Sequence, residues 1–237
     1  MDEDHRPVRV VDEGPVRVVT FNRPAQLNAF SAASYYATAR ALEQAAGEDS
    51  VAAVVLTGAG RAFSAGVDLK EWRTGDSVAL AAGFDSMLEQ LDTFPKPLIA
   101  AVNGLAVGIG MTLLLHCDLV MADESARFRV PFVELGTGPE AASSWLLARA
   151  IGDQNATWAL LSGDWMDIDT AVESGLVWRR FPPGHVLDEA VAVGRQLAAL
   201  PRAPIVVTKR LLRQGFRDRV QETLRREAEA SRSLRSS

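Results

Sequence analysis

The chain predicts an α/β domain. Short valine-rich runs alternate with segments of helical period through its first half, and helical segments cluster in the second. Between them Pro97–Met121, PLIAAVNGLAVGIGMTLLLHCDLVM, passes from a β-type run through glycines into a longer apolar run. At 237 residues, with 48% hydrophobic residues, the chain suits one such domain carrying a helical appendage and is too apolar for general disorder.

Taken in order, Val8–Val11 and Val16–Phe21 flank Asp12-Glu13-Gly14-Pro15 and predict a hairpin. Asn22-Arg23-Pro24 breaks the pattern. Ser31 is placed to cap a helix that runs to Ala46 with apolar positions at helical spacing. Val51–Leu56 has the composition of a buried strand, and Thr57-Gly58-Ala59-Gly60 ends it. Arg61–Glu71 reads as a loop centred on Gly66. Asp76 or Ser77 caps a helix to Thr93, closed by Phe94-Pro95. Leu98–Val102 predicts a strand, Met111–Leu115 a helix, and Asp118–Met121 and Phe128–Val130 two extended pieces. Beyond Pro139, helices are expected over Ala141–Ala150, Gln154–Leu161 and Thr170–Ser174, with a short strand at Leu176–Arg179. Helices over Leu187–Leu200 and Ile205–Gly215 follow, then a charged tail helix from Asp218 to about Ser231.

Composition narrows the function. A formal net charge of −5 argues against nucleic acid as the main partner. The start, MDEDHRPVRV, lacks the apolar core of a secretory signal, and the single cysteine, Cys117, has no intrachain partner, so a cytoplasmic location is expected. His5, His116 and His185 are too scattered for a metal site. GxGxxG, GxxxxGK[ST] and GxSxG patterns in their proper context are absent.

The central stretch is long and greasy enough to suggest a membrane span, but Asn103, His116 and Asp118 interrupt it, and no span is expected. Its turn at Asn103-Gly104, followed by Gly108 and Gly110, carries a strand into a helix. Such a turn leaves backbone N–H groups unpaired at the helix start, where they can receive a negative oxygen. A purely structural buried turn would have the same sequence.

Phe63-Ser64-Ala65-Gly66-Val67-Asp68-Leu69-Lys70-Glu71 resembles the first signature of the crotonase (enoyl-CoA hydratase/isomerase) superfamily. Lys96–Gly104 through Cys117–Val120 resembles the second, and Ala126-Arg127-Phe128 through Leu135-Gly136 the third, in the same order and spacing. The resemblance implies a spiral of ββα units over residues 1–185 and a helical trimerisation region over 186–237. It implies acyl-CoA thioesters as substrates, a homotrimer or hexamer, and no metal or redox cofactor. Two backbone amides that hold the thioester oxygen map onto Val67 and Ile109. Coenzyme A contacts map onto Ala65, Asp68 and Leu69 near the adenine, Arg23 and Ala25 along the phosphate–pantetheine path, and Lys209 toward a phosphate, from its own or a neighbouring subunit.

Hydration of an enoyl thioester needs two carboxylates to hold and split water. At the two places where the hydratase pattern carries them, this chain has Thr112 and Phe132, neither of which moves a proton near neutral pH. Pro131–Glu140, PFVELGTGPE, resembles instead the PF-x-x-LG-x-x-PE pattern of peroxisomal-type Δ3,Δ2-enoyl-CoA isomerases, whose glutamate at this place is the single catalytic base. The resemblance therefore points to an isomerase with Glu140 as base, Phe132 excluding water and Trp145 lining the acyl pocket. Pro139-Glu140 is also an ordinary helix opening, in which the dipole would lower the carboxyl pKa. Glu134 reads as a surface ion-pair partner, and Asp118 and His116 as structural groups. The rival expectations are a hydratase or lyase with an unusual water arrangement, a thioester hydrolase, and a crotonase-fold protein that binds acyl-CoA or a partner without turnover.

Overall fold

The computed structural model describes residues 6–236. Strands β1 (Val8–Glu13) and β2 (Val16–Phe21) form the expected antiparallel hairpin, closed by Gly14 at φ 67°. Helix α1 (Ala32–Gly47) follows, with the Ser31 side chain accepting from the Ser34 amide. From there the chain winds in repeated passes, each of which lays one strand in a large sheet and the next in a small one. β3 (Ala53–Gly58), β5 (Leu98–Val102), β7 (Leu119–Asp123) and β9 (Arg179–Phe181) extend the large sheet in the order β1-β2-β3-β5-β7-β9, parallel from β2 onward. β4 (Ala62–Ser64), β6 (Leu105–Val107) and β8 (Arg127–Arg129) form the small parallel sheet. This is the spiral of ββα units.

Helices fill the returns. α2 (Leu69–Thr74) and α3 (Ser77–Thr93) separate β4 from β5, while α4 (Ile109–Thr112) and a 3-10 turn (Leu113–His116) separate β6 from β7. α5 (Ser143–Ile151), α6 (Asp153–Ser162) and α7 (Ile168–Ser174) lie between β8 and β9. The main core lies between the sheets and α1, α3 and the central turn, built on Phe30, Tyr35, Leu42, Leu56, Phe63, Met87 and Leu98. β2, β3, β5 and β7 are buried on both faces, as apolar runs without alternation require. Their second face is closed by α8 (Val186–Ala198), whose Val186, Ala190 and Val191 cover Val16, Val55, Ile99 and Met121. The boundary expected at residue 185 thus falls between β9 and a helix that packs on the sheet.

Several expected bounds shift. Arg61–Glu71 is not all loop: it contains β4 and opens α2, capped by the Asp68 carboxylate on the amides of Lys70 and Glu71. The strand expected at Leu176–Arg179 forms later, at β9, because Leu176 and Val177 turn inward as buried core residues. α9 (Arg202–Gln214) begins before Ile205, since Pro204 fits a first helical turn where no amide is needed. The helix expected from Ala141 starts only at Ser143, because Ala141 and Ala142 are both left-handed, at φ 57°. The tail forms α10 (Arg217–Ser236), and among the described residues no single helix is long and apolar enough to cross a membrane.

Candidate active site

Two glycine turns make the centre of the site. Gly66 follows β4 and Gly108 follows β6, so the parallel pairing of those strands brings the turns side by side. A methyl added to Gly66, at φ 93°, would lie 2.9 Å from the Val107 carbonyl oxygen, and one added to Gly110 would lie 2.5 Å from that of Ser64. Only glycine permits these approaches.

The residues after the two crossing glycines are Val67 and Ile109. Phe30 N–H donates to the Gly66 carbonyl at 2.7 Å and Asp68 N–H to the Phe30 carbonyl at 2.8 Å, a pairing that skips the Val67 amide. At the other turn Gly108 N–H donates to the Arg129 carbonyl at 2.9 Å, and the Gly108 carbonyl accepts from Met111 and Thr112. Ile109 opens α4, so its amide has no acceptor within the helix. The structure leaves both amides available on neighbouring turns.

Glu140 lies outside α5, just before the left-handed alanines. Its carboxyl is therefore not in a helical first turn, and the dipole does not hold its pKa down. Burial, reinforced by the negative charge of Glu227, pushes it up to about 7. It stands near Tyr35, whose hydroxyl is itself pushed well above the ordinary value by burial and by the charges of Glu140 and Glu71. The Tyr35 ring stacks on Phe30 at 4.9 Å, and Phe30 is the strand partner of Val67. Tyr35, which feels the Glu140 charge, is thus stacked on the residue that pairs with Val67.

The other expected residues fall into two groups. Arg23 donates to the Asp68 carboxylate at 2.8 Å and to the Ala29 carbonyl at 2.6 Å, which pins the loop after β2 to the start of α2. Ala65 N–H donates to the Leu27 carbonyl at 2.9 Å, while Ala25 and Leu69 lie exposed at the rim. These five residues share one edge of the spiral. Phe132 is buried, and Trp145 packs on Phe216 at 5.7 Å between ring centroids.

Lys209 is not brought to this group. Its ammonium donates to the Lys96 carbonyl at 2.6 Å and to Asp118 at 2.7 Å, at the amino ends of β5 and β7, whereas the glycine turns lie beyond the carboxyl ends of strands. Asp118 also accepts from Leu98 N–H at 2.8 Å and from Arg213, a structural use of its charge. Glu134 pairs with Arg129. His116 is buried, and burial pushes its pKa down; its Nε2–H donates to the Ala141 carbonyl at 2.9 Å. Among the described residues no three His, Cys, Asp or Glu side chains gather as a metal site would require.

The model for the enoyl-CoA hydratase/isomerase family matches residues 12–237. The chain belongs to that family. It is 35% identical to a probable enoyl-CoA hydratase of Rhizobium meliloti over 95% of this chain and 88% of that one. It is also 35% identical to rat enoyl-CoA delta isomerase 2, over 92% of this chain and 57% of that protein. The crystal structure of an enoyl-CoA hydratase/isomerase from Pseudoalteromonas atlantica superposes with a TM-score of 0.94 at 35% identity, covering 98% of this chain and 92% of that one. Proteins named as hydratases and proteins named as isomerases are both found among its relatives within this family.

Sequence reasoning missed Glu227. It lies on the charged tail helix, where it looks like one more solvated acid, yet it is only 7% exposed. Its carboxylate accepts from the Ala142 amide at 2.7 Å and the Ser144 amide at 2.8 Å. Nothing local in RREAEAS distinguishes it from its neighbours.

Proposed function

We propose that this enzyme moves the double bond of an enoyl-CoA thioester from position 3 to position 2. Glu140 removes a proton from C2, and the electron pair shifts onto the thioester oxygen. The amides of Val67 and Ile109 hold that oxygen as a dienolate, and the protonated Glu140 returns the proton at C4. Donors aimed where charge develops bind the intermediate better than the ground state, and each is typically worth about 3–4 kcal/mol of barrier. The observation that carries the proposal is the Glu140 carboxyl at the turn before α5, whose pKa is raised to about 7, matched to taking and giving a proton near neutrality.

At the two positions where the hydratase pattern carries its carboxylates, this chain offers neither. Thr112 and Phe132 are buried and cannot serve, and both oxygens of Glu227 are engaged by backbone amides. Phe132 favours a dry pocket. Arg23, Ala25, Ala65, Asp68 and Leu69 seat the coenzyme A portion, Trp145 and Phe132 bound the acyl end, and the subunits assemble as a trimer or hexamer through the exposed apolar face of α9.

The test is turnover of trans-3-hexenoyl-CoA by the wild type and by Glu140→Gln. Formation of the conjugated 2-enoyl product by the wild type, with a loss of about a hundredfold or more in the variant, is expected for a lone general base. Equal activity in both would remove Glu140 from the mechanism. Addition of water to 2-hexenoyl-CoA, with no migration of the 3-enoyl bond, would assign the chain to the hydratases.

A further inference from the structure

Alanine is the strongest helix former, so two consecutive alanines ahead of a helix would ordinarily extend it. Ala141 and Ala142 instead occupy the left-handed region at φ 57°. For residues with a Cβ that conformation is strained, so surrounding contacts must enforce it. Three do. His116 Nε2–H donates to the Ala141 carbonyl at 2.9 Å, and Ser143 N–H donates to the Glu140 carbonyl at 3.0 Å. The third is Glu227, whose two oxygens take the Ala142 amide at 2.7 Å and the Ser144 amide at 2.8 Å.

Ala142 is the residue before α5 and its own side chain caps nothing. Glu227 supplies the missing cap from α10, across a contact in which Val220, Leu224 and Phe216 pack against Ala142, Leu146, Trp145 and Leu115. A carboxylate on two amides at a helix start is a strong, charge-assisted arrangement.

We propose that Glu227 is a positioning residue for Glu140: inserted from α10, it holds the Ala141–Ala142 turn that keeps Glu140 out of the first turn of α5 and so fixes where its carboxyl is presented. The proposal rests on Glu140 being the base. Glu227 also sets the charge around that base. The groups about Glu140 are Glu227 from α10 and Tyr35 from α1; Tyr35 also feels Glu71 from α2. His116 stands behind the turn, and the charges of Arg213 and Asp92 reach it there. A second carboxylate so close makes Glu140 harder to ionise.

The experiment compares the wild type with Glu227→Gln and Glu227→Ala. Gln keeps the shape and one acceptor but removes the charge, so it preserves the fold if Ala does not. With trans-3-hexenoyl-CoA, kcat is expected to fall about tenfold or more in both variants while KM stays near the wild-type value. The acid limb of the kcat/KM profile is expected to move to lower pH in Glu227→Gln. Wild-type kcat and an unmoved acid limb, with only the melting temperature lowered, would make Glu227 a helix cap and overturn the proposal.

Should the wild type not isomerise at all, the functional proposal fails separately. The coupling is then read by NMR titration of the Glu140 side-chain carboxyl carbon, identified by its loss in Glu140→Gln. A midpoint at lower pH in Glu227→Gln supports the placement of Glu227 beside Glu140; an unchanged midpoint and shift refute it.

Discussion

Gly66 and Gly108 meet backbone to backbone: a Cβ built on Gly66 would lie 3.7 Å from the Gly108 Cα and 2.9 Å from the Val107 carbonyl oxygen. This contact sets the spacing of the two amides that follow. Gly66→Ala must push the turns apart and also adopt φ 93°, which is strained for any residue with a Cβ. We expect it to destabilise the fold by about 1–3 kcal/mol. Turnover of an enoyl-CoA should fall further than stability explains, as measured at temperatures where the variant remains folded.

Glu140 carries a stability cost with a definite sign. Its carboxyl titrates at about 7 in the folded chain, above its ordinary value of 4.5, so the native state binds the extra proton between those pH values. Stability therefore falls as pH rises from 4.5 to 7, by up to about 3 kcal/mol for a fully desolvated group. Glu140→Gln should melt above the wild type at pH 8 and converge with it near pH 5. Thermal melts across that range check this.

The Arg23–Asp68 pair behaves in the opposite sense. Burial works against the charge on Asp68, but the Arg23 guanidinium and the amides of Glu71 and Lys70 outweigh it and hold its pKa below the ordinary value. Its contribution is present above the unfolded-state pKa and is lost as pH falls through the depressed folded value. Asp68→Ala should cost about 1–2 kcal/mol at pH 7 through the lost cap and ion pair, and less in strong acid. The KM for acyl-CoA should rise, because the loop after β2 loses its anchor.

Helix α9 buries none of its residues, and Val207, Leu211 and Leu212 are exposed along it. An apolar face of that kind on a folded chain marks a contact surface. Light scattering on the purified protein should give the mass of a trimer or hexamer, and Leu211→Glu with Leu212→Glu should shift it toward the monomer.

What the sequence shows of this molecule depends on the range of the interaction responsible. Val16–Phe21 and Leu98–Val102 are legible because buried strands are written as unbroken apolar runs. β4 and β6 are not: at three residues each they carry no period, and they exist because the larger sheet delivers them to one another. The glycine turns are legible because steric necessity leaves a compositional mark. The left-handed alanines run against local preference, which pointed to helix from Ala141, and only the distant Glu227 and His116 reverse it. For the same reason the dipole that a helix opening at Glu140 would bring does not act there, and burial and the Glu227 charge set its pKa instead.

The clamp on Ala142 and Ser144 also bears on the order in which the enzyme matures. A ribosome releases β4, β6 and their glycine turns well before it reaches Glu227, so a nascent chain can assemble the pair of free amides early. Glu140 leaves the ribosome soon afterwards, but the turn beneath it stays unclamped until α10 emerges and docks. On the proposed roles, synthesis would then pass through an interval in which the two glycine turns exist without a positioned Glu140, and activity would switch on with the docking of α10.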